Sequence, residues 1–137
     1  MVRILFLLLT SITLSFSADF LQEKESVIDT QQNLQWQDTE EIADYSDIWK
    51  MANSHCKGLS FLGYNDWRLP TKEELTLLGK SKKEKSKFVH LKNELYWSSQ
   101  EDKNDDINAM SVYVGNGFIS SGDKCEKEAV ICVRRTD

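Results

Sequence analysis

The chain has 137 residues and a formal net charge of −5, with 40% hydrophobic and 28% charged residues. That is the length of one domain, with apolar content enough for one core. The acidic balance argues against nucleic acid as a partner, because phosphate recognition asks for a basic face.

Residues 1–17 read as a signal peptide. Arg3 supplies a positive start, residues 4–9 are all apolar, and small residues stand at Ser15 and Ser17, the spacing a signal peptidase needs. Cleavage is expected after Ser17. The apolar run is shorter than the roughly 20 residues of a membrane span, so no stable membrane anchor is expected after cleavage. The mature chain is then exported, to the periplasm or beyond the cell. Its cysteines, Cys56, Cys125 and Cys132, suit an oxidising compartment. Their odd number allows one bridge and one free thiol, or a link between chains. No C-x-x-C spacing occurs, and the only histidines are His55 and His90. No metal site and no cofactor are expected.

Residues 18–26 read as a flexible arm, and residues 27–135 as a single domain. Val27-Ile28 and Leu34-x-Trp36 flank a turn rich in Asp, Thr, Gln and Asn, which predicts a hairpin. Leu34 and Trp36 alternate with Gln35 and Gln37, so the apolar pair should face the core and the glutamines solvent. Asp38, Glu40, Glu41 and Asp44 read as a solvated loop or an acidic helix start rather than a calcium site. Residues 45–57 form the best helical pattern. Ile48, Trp49, Ala52, Cys56 and Leu59 share one stripe, Gly58 suits the C-terminal cap, and His55 borders the stripe as an ordinary surface histidine.

Trp67 and Leu69 alternate around Arg68, and Pro70, the only proline, ends that extended piece. Thr71 and Glu74 make a capping box for a short helix over residues 72–78, with Gly79 as its stop. The set Trp67, Arg68, Leu69, Pro70, Thr71 and Glu74 reads as a structural signature, with Arg68 paired to an acid or to carbonyls. Lys80, Lys82, Lys83, Lys85 and Lys87 then crowd one segment without interleaved aromatics. They read as a solvated loop or as a contact for an anionic polymer, which Lys92 could extend. Strands follow: one opening at residues 95–99, a charged turn at 101–106 without the glycine and terminal Glu of an EF-hand, a strand at 109–114, a Gly115-Asn116-Gly117 turn and a return at Phe118-Ile119. Residues 120–128 read as a polar loop holding Cys125. Residues 129–134 read as one central strand buried on both faces.

Taken together, Leu34/Trp36, Ala52/Cys56, the run from Asp66 through Leu75, Tyr96-Trp97-Ser98-Ser99 and Cys132-Val133-Arg134 form an ordered set of motifs. The set resembles the C-terminal domain of bacterial collagen-like adhesins, the Lcl C-terminal domain family, over nearly the whole mature chain. The resemblance implies an α+β, C-type-lectin-like fold: two helices packed on a small, mostly antiparallel sheet, with N- and C-terminal strands paired. It also implies a disulfide from Cys56 on the first helix to Cys132 on the last strand, leaving Cys125 over. The chain carries no collagen-like repeat, and the sugar and calcium motif of true C-type lectins is missing.

Three functions compete. The first is a non-enzymatic binding module contacting a polysaccharide or other envelope component, with the five lysines as candidate contacts. The second is a structural or assembly subunit of an envelope complex, linked through Cys125. The third is an enzyme akin to the sulfatase-activating oxidases of related architecture, which depend on reactive cysteines. With Cys56 bridged no cysteine pair remains, and neither histidine has a sequence-level partner. No enzyme activity is expected.

Overall fold

The computed structural model describes residues 25–137. The expected signal peptide and most of the expected arm lie outside the described residues. The domain is of the α+β class, with two sheets and three helices. Its strands are β1 (Ser26–Asp29), β2 (Leu34–Gln37), β3 (Ser46–Asp47), β4 (Leu95–Asp102), β5 (Asp105–Tyr113), β6 (Phe118–Asp123), β7 (Glu128–Ala129) and β8 (Val133–Arg135). The helices are α1 (Trp49–Lys57), α2 (Lys72–Lys80) and α3 (Lys82–Lys85), and a 3-10 turn covers Glu40–Ala43. β1, β2 and β8 form a small antiparallel sheet in that order, so the C-terminal strand joins the N-terminal hairpin, pairing with β2. The larger sheet runs β3-β7-β4-β5-β6 and is antiparallel except where β4 meets β7.

The larger sheet carries a core on each face. On one side Tyr96, Val112 and Val114 meet Leu75 and Leu78 of α2, with Leu34 and Trp36 of the small sheet. On the other, Trp97 and Ala109 meet Ala52 and Cys56 of α1, with Trp67 and Leu69. The last stretch joins both: Val130 and Cys132 fall in the α1 core, Ile131 and Val133 in the α2 core. Alternating side chains of one extended backbone thus serve opposite faces.

Several local expectations are corrected. Residues 129–134 are buried throughout, but they are not one strand. Glu128–Ala129 pairs with β3 and β4, Val133–Arg135 pairs with β2, and the chain changes sheets between them. Ser46–Asp47 pairs with β7 instead of opening α1, which starts at Trp49. Residues 120–123 are not loop: β6 runs to Asp123, hydrogen-bonded along β5. β1 takes in Ser26, counted above with the arm. Gln35 and Gln37 are buried as well as Leu34 and Trp36, because each finds partners. The Gln35 amide donates to Ser26 Oγ and its oxygen accepts from Arg134. Gln37 Oε1 accepts from the Cys132 amide.

The bridge joins Cys56 and Cys132, with Cα atoms 5.4 Å apart and 76 residues between them in sequence. Cys132 lies just before β8, in the crossing between sheets. In the chain-entropy picture a loop of that length is worth about 4 kcal/mol. It fastens α1 to a segment that contributes to both cores.

Candidate functional site

Gly79 does not stop α2. The helix runs on to Lys80, and Gly79 is buried within it. A Cβ there would lie 2.7 Å from the Gly117 Cα, and Gly117 itself has a φ of +81°. Two glycines therefore let the helix touch the β5–β6 turn backbone to backbone. Ser81 follows as a cap, its Oγ accepting from the Glu84 amide, and opens the single turn α3.

This construction divides the five lysines. Lys85 is half-buried and its Nζ donates to the carbonyls of Val114 and Gly115, at 3.2 and 2.9 Å, so it pins α3 to the same turn. Lys87 pairs with Glu84 at 3.0 Å. Lys80, Lys82 and Lys83 are exposed and pair with no acid among the described residues. Lys92 reaches Asp44 at 3.4 Å instead of joining them. Of the five, Lys85 is turned inward, Lys87 is neutralised at the surface by Glu84, and three are left to solvent near the end of α2, where cations also meet the negative pole of the dipole.

The signature residues are placed for structure. Trp67, Leu69 and Pro70 are buried, and the Trp67 indole donates to the Phe61 carbonyl at 3.1 Å. Arg68 exchanges two backbone hydrogen bonds with Val133, and its guanidinium grips Glu74 through both nitrogens at 2.7 and 3.0 Å. Glu74 Oε1 also accepts from the Thr71 amide, and Thr71 Oγ1 accepts from the Glu74 amide, completing the capping box. Burial opposes charge on Glu74, yet the guanidinium and the Thr71 donors outweigh it and hold the carboxyl below its ordinary range. The hydrogen bond to Glu74 raises Arg68 in turn.

A second cluster was not anticipated. Arg134 is 8% exposed. It donates to Asp66 at 2.7 and 3.4 Å, donates to Gln35 at 2.9 Å, and lies 3.5 Å from the Tyr64 ring centroid. The hydrogen bond from Arg134 lowers the Asp66 pKa. The available signal was an arginine within an otherwise apolar final stretch, since a buried charge requires a partner.

The family model of the Lcl C-terminal domain matches residues 25–134. The chain belongs to the Lcl C-terminal domain family. No curated protein sequence matches the chain. The family is of surface, adhesin type, and a disulfide-bonded Lcl C-terminal domain fits an exported protein. Among the described residues no helix is long and apolar enough to cross a membrane. The matched span takes in both arginine clusters and the bridge, so the Lcl C-terminal domain here is the two-core unit itself.

Two further carboxylates are occupied locally. Asp38 is buried and accepts from the amides of Val89 and His90; Asp102 accepts from Ser121 Oγ and the Asn104 amide. Among the described residues, no three of the metal-ligating types gather. His55 stacks on Tyr45, with ring centroids 4.6 Å apart, and lies 3.7 Å from Glu41. Tyr45 donates to Asp47, and burial together with that carboxylate pushes its pKa up to about 12. Cys125 is an exposed free thiol beyond β6, its amide bonded to Asp123.

Proposed function

We propose that this domain is an exported, non-enzymatic binding module that contacts an anionic polysaccharide of a cell surface or envelope. The observation that carries the reading is the trio Lys80, Lys82 and Lys83. They stand exposed and free of acid partners, among the described residues, on a helix end seated rigidly on the β5–β6 turn. In a chain of net charge −5, such a trio is a local exception that neither core packing nor ion pairing uses. Ammonium groups held at a fixed end of a fold attract sulfate or carboxylate groups repeated along a polymer.

The test is titration of the mature protein with heparin, as a generic sulfated polymer, before and after the triple substitution Lys80→Glu, Lys82→Glu, Lys83→Glu. Affinity is expected to fall about tenfold or more at low salt. Equal affinity of the two proteins removes the lysines from the function. A structural role in an envelope complex has one observation of its own, the exposed Cys125 thiol. Non-reducing mass spectrometry of the native protein decides it, since that reading requires a Cys125-linked dimer.

A further inference from the structure

The larger sheet ends on two unlike edges. One is β3, with 2 residues. The other is β6, with 6, and no strand among the described residues pairs with its outer side. Folds protect a long edge with lysine, proline, a bulge or a covering segment. β6 reads Phe-Ile-Ser-Ser-Gly-Asp, without lysine or proline, and its register on β5 is unbroken.

The register also fixes which backbone groups face outward. The Lys124 amide donates to the Ile107 carbonyl, one step beyond the aligned pair Asn108 and Asp123. Bonded and non-bonded pairs alternate along an antiparallel ladder. Phe118, Ser120 and Gly122 therefore bond to β5, while Ile119, Ser121 and Asp123 turn their N–H and C=O groups away from it. The Asp123 carbonyl accordingly accepts from the Glu126 amide, outside the ladder. Ile119 and Ser121 have no such partner among the described residues. Their side chains are exposed, Ile119 by 41%.

The two ends of this edge differ in charge. At its start Lys80 packs on Gly117, where a Cβ would lie 2.9 Å from Lys80 Cγ. At its other end stands Asp123, with Asp102 accepting from Ser121 Oγ at 2.6 Å and Asp105 aligned with Asp102. Lys72 and Lys124 nearby pair with Glu73 and Glu101, which leaves Lys103 set against three aspartates.

We infer that β6 is a self-pairing edge: two copies of this chain join β6 to β6, antiparallel about a twofold axis, with Ile119 of each opposite Ser121 of the other. In that register each Ile119–Ser121 pair exchanges both of its backbone hydrogen bonds. Gly117, with Lys80 upon it, comes level with Asp123 of the other copy, so a basic end meets an acidic end on both sides of the axis. Phe118 comes opposite Gly122, and a ring across from an edge glycine shields the bare backbone. The edge is thus complementary to its own inverse, as a closed twofold interface requires. That self-complementarity assigns it to a second copy rather than to a foreign strand. Of the three exposed lysines only Lys80 takes part; Lys82 and Lys83 lie beyond it on α3. Pairing and polymer binding are therefore independent properties of the chain.

The experiment is light scattering after gel filtration, over a concentration series at low salt, on the mature protein carrying Cys125→Ser to remove the exposed thiol. Twice the chain mass is expected. Ile119→Lys and Ser121→Pro are expected to give monomers with unchanged urea midpoints, because the first changes an exposed side chain and the second removes only an outward N–H. Lys80→Asp is expected to weaken the dimer about tenfold, and Lys80→Asp combined with Asp123→Lys to restore it. The charge exchange decides even where an edge substitution costs stability. A chain that is monomeric throughout overturns the proposal. So does a dimer that survives both edge substitutions, a charge exchange that fails to rescue, or a trimer, which a twofold contact does not build.

Discussion

The Glu74 carboxylate receives donors from two directions: the Arg68 guanidinium, through both nitrogens, and the Thr71 amide at the start of its own helix. Its carboxyl is held below the usual range, so its contribution is present above the unfolded-state pKa of about 4.3 and is lost as pH falls through the folded value. Glu128 is the reverse case. Its Oε2 is buried without a hydrogen-bond partner among the described residues, and burial raises its pKa. That group contributes fully below its unfolded pKa, and the contribution is lost as pH rises through the folded one. Glu74→Gln is therefore expected to cost about 1–3 kcal/mol at neutral pH, the cost disappearing in acid. Glu128→Gln is expected to stabilise at neutral pH and to match wild type in acid. Urea melts over a pH series check both signs. Half of this was readable in the sequence. Thr71 and Glu74 stand at the spacing a capping box demands, but Arg68 reaches Glu74 around a proline corner, and no periodicity links them.

At the level of elements, the helix stripe of α1 and the hairpin of β1 and β2 were legible because local periodicity matches local geometry. The failures came where tertiary contact decides. Gly79 looks like a helix stop, yet its missing side chain serves the close approach to Gly117. The final apolar run reads as one strand, but it crosses between sheets, a distinction that burial on both faces cannot make. The lysine segment reads as uniform, whereas Lys85 is consumed by two carbonyls of a turn far away in sequence. Gly79→Ala discriminates the two views of that glycine. Helix propensity alone gives a gain of roughly 1 kcal/mol, and the glycine contact a loss of about 1–3 kcal/mol. The loss is expected, read as a lower urea midpoint, with a further fall in heparin affinity because the turn that seats the lysines is displaced.

For the molecule as a whole, the bridge and the lysine end divide the labour. Cys56–Cys132 fastens α1 to a segment that contributes to both cores, and the double substitution Cys56→Ser, Cys132→Ser is expected to cost about 4 kcal/mol in urea melts, with Cys125→Ser near neutral. Lys80, Lys82 and Lys83 carry exposed positive charge in a chain acidic overall, which makes attraction to a polyanion a local property of one surface. The measurement that bears most directly on this is the association constant of the mature protein for heparin as a function of salt. A steep fall between about 50 and 200 mM is predicted, as counterions released by the polymer are returned to it, with a much shallower slope for the triple lysine reversal. A wild-type association constant that is flat with salt, or a slope unchanged by the reversal, contradicts the account.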